Sequence, residues 1–365
     1  MSPPAPPPAR PAPFRPAWWA RNPHAQTLWG KLTRRVAAVP TRRERWDTPD
    51  GDFLDVVRLP ADPARFADPA RAPRLLLLHG LEGGMRSHYA HGLFAEARRR
   101  GWAMDLMLHR SCGDELNRQR RFYHSGETSD AALVVDRVAA ECPDAPLAIC
   151  GVSLGGNQLL KYLGERGDAV PRVVRRAVAI SVPYDLARGA RHISRGFSKV
   201  YERHFLRSLT RKVERKLAVY PDLIAAERLP QLRTLYEFDD LLTGPVHGFA
   251  GADDYYTRSS AIHFLGGVRV PTLLLSAVDD PFLPAAVLDD VRARAGANPV
   301  LEVEFHARGG HVGFVGGRVP WRPDYYAERR TVEFVASMLG DASGDASGDA
   351  SGGVADAAPA GPAGR

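Results

Sequence analysis

The sequence has little cysteine and no long apolar segment. Its 365 residues include three cysteines, Cys112, Cys142 and Cys150, and none stands in a Cys-x-x-Cys pair. This set argues against a disulfide framework or a zinc knuckle and is typical of a reducing compartment. No window approaches 18 consecutive apolar residues, so we expect no membrane-spanning helix. The first residues lack the apolar core of a secretory signal, and we therefore expect a cytoplasmic protein.

The composition is that of a globular protein with biased ends. Hydrophobic residues make up 44% of the chain, enough for a core without disulfide or metal staples. Residues 1–16 are dominated by Pro and Ala, and residues 340–365 by Gly, Ala, Ser and Asp. We expect a disordered arm and a disordered tail at these ends. The predicted folded domain spans residues 17–339.

The net charge of +7 makes nucleic acid or an anionic membrane surface a candidate partner. Most of the cations are Arg, however, and they are spread along the chain beside Asp and Glu. This distribution favours a solvated, Arg-rich surface. We expect no nucleic-acid partner, because no basic cluster is interleaved with exposed aromatic residues.

Strand and helix signals alternate along the body. An antiparallel hairpin is predicted by the segments 43–46 and 53–59, which flank a Thr-Pro-Asp-Gly turn. Buried strands are predicted by apolar runs at 75–78, 103–108, 147–150, 173–180, 272–277 and 301–305. Helical patterns lie at 89–100, 128–141, 154–164, 284–294 and 325–339. The alternation predicts a doubly wound, mostly parallel α/β sheet behind the hairpin, and residues 182–265 predict a helical cap insertion.

A G-x-S-x-G string at 151–155 centres on Ser153. It follows a predicted strand and opens a predicted helix, which is the setting of a nucleophile elbow. A serine hydroxyl needs a base to remove its proton, and in this fold an acid and then a histidine follow it along the chain. We predict Ser153 as the nucleophile.

Position along the chain selects the other members of the site. Asp280 follows the strand at 272–277 and is favoured over Asp279 because its spacing to Pro284 matches the usual acid loop of this fold. His311 lies in a Gly-rich loop after the last strand and is favoured over His306 as the base.

The oxyanion donors are predicted from the same layout. We expect the backbone N–H of Leu154, after the nucleophile, and that of Leu81, in the loop after the first parallel strand. Together these residues predict a serine hydrolase of the α/β-hydrolase fold that uses no metal and no cofactor.

Longer strings resemble one branch of that superfamily, the YheT-like or AB hydrolase 4 family. They are NPHAQT at 22–27, HGLEG at 79–83, YHSGET at 123–128, GVSLGGN at 151–157, DDPF at 279–282 and GHVGF at 310–314. The resemblance carries the triad onto Ser153, Asp280 and His311 and implies hydrolysis of short- to medium-chain acyl esters or acylglycerols. Ser111 departs from the family pattern, which has glycine there. For His24 and His124, structural roles are favoured over pocket lining.

The sequence leaves open which reaction the site catalyses, whether it catalyses any, and whether the cap contacts lipid. An acyltransferase would pass the acyl group to an alcohol instead of water, and a non-catalytic binding protein could use the same fold. Peptidases and carbon–carbon hydrolases share the triad chemistry.

In the cap, seven cations recur every four residues, namely Arg191, Arg195, Lys199, Arg203, Arg207, Arg211 and Arg215. They suit peripheral contact with a lipid surface, although a solvated Arg stripe on a packed cap helix is favoured.

Overall fold

The computed structural model describes residues 12–34 and 38–337, with an eight-stranded sheet at the centre. Its strands are β1 (Arg42–Asp47), β2 (Phe53–Leu59), β3 (Arg74–Leu78), β4 (Ala103–Leu108), β5 (Leu147–Val152), β6 (Val174–Ile180), β7 (Thr272–Ala277) and β8 (Leu301–His306). The strand order is β1-β2-β4-β3-β5-β6-β7-β8. β2 pairs antiparallel with both β1 and β4, and all other neighbours are parallel. A separate short antiparallel pair consists of β9 (Val315–Gly316) and β10 (Asp324–Tyr325). The predicted fold class is confirmed.

The helices are α1 (Pro23–Thr33), α2 (His88–Arg100), α3 (Ser129–Glu141), α4 (Leu154–Arg166), α5 (Leu186–Ile193), α6 (Lys199–Leu217), α7 (Leu235–Phe238), α8 (Gly244–Val246), α9 (Ala252–Ser259), α10 (Ala285–Ala295) and α11 (Tyr326–Ala336). Alternate side chains of β3 serve the two faces of the sheet. Leu75 and Leu77 pack with α2 and α11, whereas Leu76 and Leu78 pack with α3, α4 and α10. Because helices cover both faces, these strands are continuous apolar runs in the sequence.

Some residues of the predicted disordered arm are packed into the core. Phe14 is buried, with its ring centroid 5.7 Å from that of Phe314 and 5.1 Å from that of Tyr326. The Ala17 N–H donates to the Val315 carbonyl at 2.9 Å. The predicted disordered arm at 1–16 is therefore corrected for residues 12–16, where one aromatic side chain completes the core. Residues 1–11 of that arm and the predicted tail at 340–365 lie outside the described residues.

The regular elements between β6 and β7 are all helical, in the interval where the sequence predicted the cap. α6 is the longest of them, with 19 residues. Leu206 and Val213 of α6 join an apolar cluster that includes Phe122 of the body and Leu242 of the cap. None of the helices in the described ranges combines the length and apolarity needed to cross a bilayer.

Candidate active site

Ser153 occupies the sharp turn between β5 and α4. Its backbone dihedrals, φ 54° and ψ −120°, lie in a sparsely populated region for a residue with a side chain. A Cβ added to Gly155 would lie 2.2 Å from the Leu78 carbonyl oxygen, and one added to Gly151 would lie 2.5 Å from the Gly155 carbonyl oxygen. Gly155 therefore packs directly against the end of β3, and Gly151 packs against the first turn of α4. Only glycine fits at these two positions.

The predicted nucleophile, base and acid form one hydrogen-bonded chain. His311 Nε2 lies 3.0 Å from Ser153 Oγ, and His311 Nδ1 lies 2.8 Å from Asp280 Oδ2. The second Asp280 oxygen accepts the Phe282 N–H at 2.8 Å. Asp280 and His311 are both buried. In this arrangement an imidazole can take a hydroxyl proton while the carboxylate holds its tautomer and orientation.

Asp279 and His306, the alternative candidates for the acid and the base, have hydrogen-bond partners outside the triad. Asp279 Oδ1 accepts the Gly310 N–H at 2.9 Å, and burial raises the pKa of this carboxyl. It therefore supports the backbone of the loop that carries His311. His306 Nε2 lies 2.9 Å from Glu304 Oε1, and the His306 ring packs against Phe14. Neither side chain contacts Ser153.

The N-terminal NPHAQT string holds the His311 loop. Thr27 Oγ1 accepts the His311 N–H at 2.9 Å. The Gln26 side chain accepts the Val315 N–H at 2.6 Å and donates to the Val315 carbonyl at 2.9 Å. His24 lies farther out, with Nδ1 3.1 Å from the Tyr201 hydroxyl. This string thus contributes structural contacts that fix the backbone of the loop carrying His311.

The YHSGET string lies behind the nucleophile. Asn157 of α4 donates to the Ser125 carbonyl at 2.8 Å. His124 lines the cavity described below and packs against His247, with ring centroids 4.6 Å apart. Burial lowers the pKa of His124 to about 3. The His124 side chain is therefore a neutral part of the cavity wall.

Among the backbone N–H groups of residues 80–84, that of Leu81 alone lacks an acceptor in the described chain. The flanking amides all have acceptors: Gly80 N–H donates to the Tyr89 hydroxyl, Glu82 N–H to the Tyr123 hydroxyl and Gly83 N–H to the Gly80 carbonyl, each at 2.9 Å. Within the described chain, the Leu81 N–H has no acceptor. The same holds for the N–H of Leu154, in the first turn of α4, where helices leave donors unsatisfied.

Both donors lie beside the nucleophile. Leu81, Leu154 and Ser153 line the same cavity, and a Cβ added to Gly80 would lie 3.1 Å from Ser153 Cβ. Such a pair of N–H groups can stabilise an oxyanion formed when the serine attacks a carbonyl.

A cavity of about 150 Å³ lies between the body and the cap. Its walls are largely apolar, and the cap supplies Phe205, Leu209, Val213 and Leu242. The Phe282 ring stacks on the His311 imidazole, with centroids 4.0 Å apart and planes at 20°. The cavity suits a hydrocarbon chain attached to a group that reacts at Ser153.

Several supporting residues were not identified from the sequence. Ser181, which has φ 49°, accepts the Val312 N–H next to His311 at 3.0 Å. Tyr89 supports the site without a motif of its own, and Phe282, the last residue of the DDPF string, was given no role. Ser111 has φ 63°, which explains why the resembling family has glycine there.

Comparison with known proteins shows the family of this chain. The family model of the alpha/beta hydrolase fold matches residues 73–317. The Escherichia coli (strain K12) protein YheT is 39% identical over 333 residues, which are 90% of this chain and 94% of that protein. The chain belongs to the YheT-like branch of the α/β-hydrolase family. The resemblance inferred from the sequence strings is confirmed.

More distant relatives of this YheT-like chain are named as lipid hydrolases. Monoacylglycerol lipase of Saccharomyces cerevisiae is 30% identical over 279 residues, covering 74% of this chain and 60% of that protein. Phospholipase ABHD3 of Mus musculus is 28% identical over 328 residues, covering 89% and 79%. A solved esterase of Pyrococcus furiosus has a TM-score of 0.54 at 13% identity, covering 84% of this chain and 96% of that chain. That last likeness shows the fold alone.

Proposed function

We propose that this protein is a serine carboxylic ester hydrolase that cleaves short- to medium-chain acyl esters or acylglycerols. The observation that carries the proposal is the chain of hydrogen bonds from Ser153 through His311 to Asp280, at the wall of an apolar cavity. The relatives named as a monoacylglycerol lipase and a phospholipase support an ester substrate.

The first half of the reaction forms an acyl-serine. Ser153 Oγ attacks the ester carbonyl carbon as His311 Nε2 accepts its proton, and Asp280 stabilises the resulting imidazolium. The N–H groups of Leu81 and Leu154 stabilise the oxyanion. When the intermediate collapses, the carbon–oxygen bond to the alcohol breaks and the leaving oxygen takes the proton from His311.

The second half regenerates the serine. His311 removes a proton from water, whose oxygen attacks the acyl carbon, and the acid is released as Ser153 recovers its proton. The same step with an alcohol in place of water would be acyl transfer.

Fluorophosphonate labelling of the purified protein, followed by peptide mass mapping, tests this function. We expect the label on the Ser153 peptide and none on a Ser153→Ala variant, together with turnover of a panel of esters of graded chain length. Product analysis with and without added alcohol separates hydrolysis from acyl transfer. Folded wild-type protein that neither labels nor turns over any ester would support a binding protein instead.

The outer face of the cap supports contact with an anionic lipid surface as part of this proposal. Among the described residues, none of the seven cations spaced four apart from Arg191 to Arg215 has a carboxylate within ion-pair distance. Phe197 and Val200 are 53% and 52% exposed at the start of the same region. Exposed apolar side chains beside unpaired cations are the composition of a peripheral lipid-binding face.

Vesicle co-sedimentation tests this contact. We expect binding to phosphatidylglycerol-containing vesicles, weaker binding at high salt and little binding to pure phosphatidylcholine. Arg203→Glu/Arg207→Glu should abolish sedimentation. The matched variant Arg172→Glu/Arg294→Glu, which changes the charge equally at exposed sites outside the cap, should not. Equal losses in the two variants would mean that only net charge matters.

A further inference from the structure

The carboxylate of Glu82 is held from the cap and from the body at once. Glu82 Oε1 accepts from the Tyr123 hydroxyl at 2.7 Å and lies 2.6 Å from Lys212 Nζ. Its other oxygen accepts from the Ser208 hydroxyl. Ser208 and Lys212 belong to α6 of the cap, whereas Tyr123 belongs to the loop before α3. We name these four residues the Glu82 cluster.

Glu82 also occupies an unusual backbone conformation. It is the third residue of the turn closed by the hydrogen bond from the Gly83 N–H to the Gly80 carbonyl, and its φ is 54°. Glycine or asparagine is usual where a turn requires a positive φ at this position. The Tyr123 hydroxyl that donates to the Glu82 carboxylate also accepts the Glu82 N–H, at 2.9 Å. Side chain and backbone of Glu82 are thus fixed by the same group.

The Tyr123 ring rests on a rigid support. It stacks on His109, with centroids 4.9 Å apart and planes at 12°. Nε2 of His109 lies 2.8 Å from the His79 carbonyl oxygen, and the backbone N–H of His109 donates to His79 Nε2 at 3.1 Å. His79 and His109 are fully buried, and burial lowers the pKa of both, so neither carries charge at neutral pH. The Glu82 cluster is therefore fixed to the core of the sheet.

We infer that Glu82 is a positioning residue that aims the Leu81 N–H at the oxyanion and makes its direction depend on the position of the cap. This inference rests on the proposed ester hydrolysis. Leu81 directly precedes Glu82, so a change in the turn redirects the donor. Lys212 has a second effect, because it neutralises a largely buried carboxylate next to the place where negative charge develops.

The test compares three variants in ester hydrolysis. Glu82→Gln should lower kcat about 10- to 100-fold with KM changed by less than about threefold, since a displaced oxyanion donor costs up to about 10³ in kcat. Lys212→Met should lower kcat further, because it leaves the carboxylate unpaired beside the oxyanion. The double variant should recover to the level of Glu82→Gln alone. A purely structural loss would not show this recovery.

A second readout separates positioning from substrate binding. Affinity for an acyl trifluoromethyl ketone, which forms a tetrahedral adduct with serine, should fall in Glu82→Gln by the same factor as kcat/KM. Affinity for the product carboxylic acid should stay unchanged. Asp222→Asn is the matched control, because it removes a different cap-to-body ion pair, Arg120 to Asp222 at 2.7 Å.

Three results would overturn the inference: an unchanged kcat in Glu82→Gln, an effect confined to KM, or a double variant as slow as Lys212→Met. If Glu82→Gln does not fold, Ser208→Ala removes one contact of the Glu82 carboxylate, and Tyr123→Phe removes both hydrogen bonds of the Tyr123 hydroxyl to Glu82. Each variant should lower kcat and leave KM nearly unchanged. Wild-type protein without a reactive Ser153 would overturn the proposed function as well. If the wild-type protein is active and the Glu82 variants have an unchanged kcat, this inference alone would be overturned.

Discussion

At the scale of single residues, two adjacent carboxylates serve different partners. Asp280 contacts the imidazole of His311, whereas Asp279 accepts the Gly310 N–H from the backbone of the same loop. The Asp280 contact affects the proton transfer of the proposed reaction. The Asp279 contact affects only the backbone conformation of the His311 loop. Substitution should therefore separate them clearly.

We expect Asp280→Asn to lower kcat about 10⁴-fold, because an amide would favour the wrong imidazole tautomer. Asp279→Asn should cost less than about tenfold, since its amide oxygen can still accept the Gly310 N–H. Steady-state hydrolysis of a short-chain ester measures both, with circular dichroism as the check on folding. Equal losses, or a larger loss in Asp279→Asn, would assign the acid to the neighbouring position.

The sequence was sufficient to nominate Ser153, Asp280 and His311 because each follows a strand in a fixed order along the chain. The residues that hold the triad and its loops in place contact each other across large sequence separations, and no local sequence pattern reveals such contacts. Thr27 and His311 are 284 residues apart, and Glu82 and Lys212 are 130 apart. Such contacts depend on how the N-terminal helix and the cap dock, and this docking is absent from local periodicity.

At the scale of elements, the contact between α4 and β3 sets the position of the nucleophile. A Cβ on Gly155 would lie 2.2 Å from the Leu78 carbonyl oxygen and 2.6 Å from that of His79. Both neighbours are backbone atoms, so a side chain at this position forces α4 away from the sheet. That shift would also move the Leu154 N–H.

We therefore expect Gly155→Ala to destabilise the protein by about 3 kcal/mol or more and to abolish turnover, as overpacking of a backbone contact requires. Gly266→Ala is the control, because an added Cβ there has no atom within 4 Å. It should change stability by less than about 0.5 kcal/mol. Urea unfolding followed by circular dichroism measures both. A well-folded, active Gly155→Ala protein would contradict the close packing.

Element prediction succeeded where burial leaves a clear pattern and missed weaker signals. Strands covered on both faces are uniform apolar runs and were found. α1 has only a small apolar content, although Asn22 caps it by accepting the His24 N–H at 2.8 Å and Pro23 occupies its first turn. An N-cap followed by proline is a helix start signal. Phe14 is a single aromatic in a Pro-rich segment, and only the tertiary structure supplies its partners.

At the scale of the whole molecule, cap and body enclose a cavity whose wall includes an acid without a cation. Asp239 lines this cavity, and in the described residues no Lys, Arg or His lies within ion-pair distance of it. The Tyr256 hydroxyl donates to Asp239 Oδ2 at 2.7 Å. Burial raises the pKa of Asp239 from 3.8 to about 6 despite this hydrogen bond. The free energy of unfolding must then depend on pH through this residue.

Proton linkage gives the direction in which the free energy of unfolding changes with pH. Because the pKa of Asp239 is higher in the folded state, its contribution to stability is greatest below about pH 4 and is lost as the pH rises through about 6. Asp239→Asn removes the buried charge and keeps an acceptor for Tyr256. It should stabilise the protein by about 1–2 kcal/mol at pH 8, since one pKa unit corresponds to about 1.4 kcal/mol and the cavity relieves part of the penalty. At pH 5 the gain should be about half of that at pH 8, because the penalty grows as the pH rises from about 4 to about 6. Urea unfolding at the two pH values measures this difference, and Asp240→Asn, at the exposed neighbour, should show none. A gain independent of pH, or a loss at pH 8, would mean that Asp239 is not the buried charge that the cavity implies.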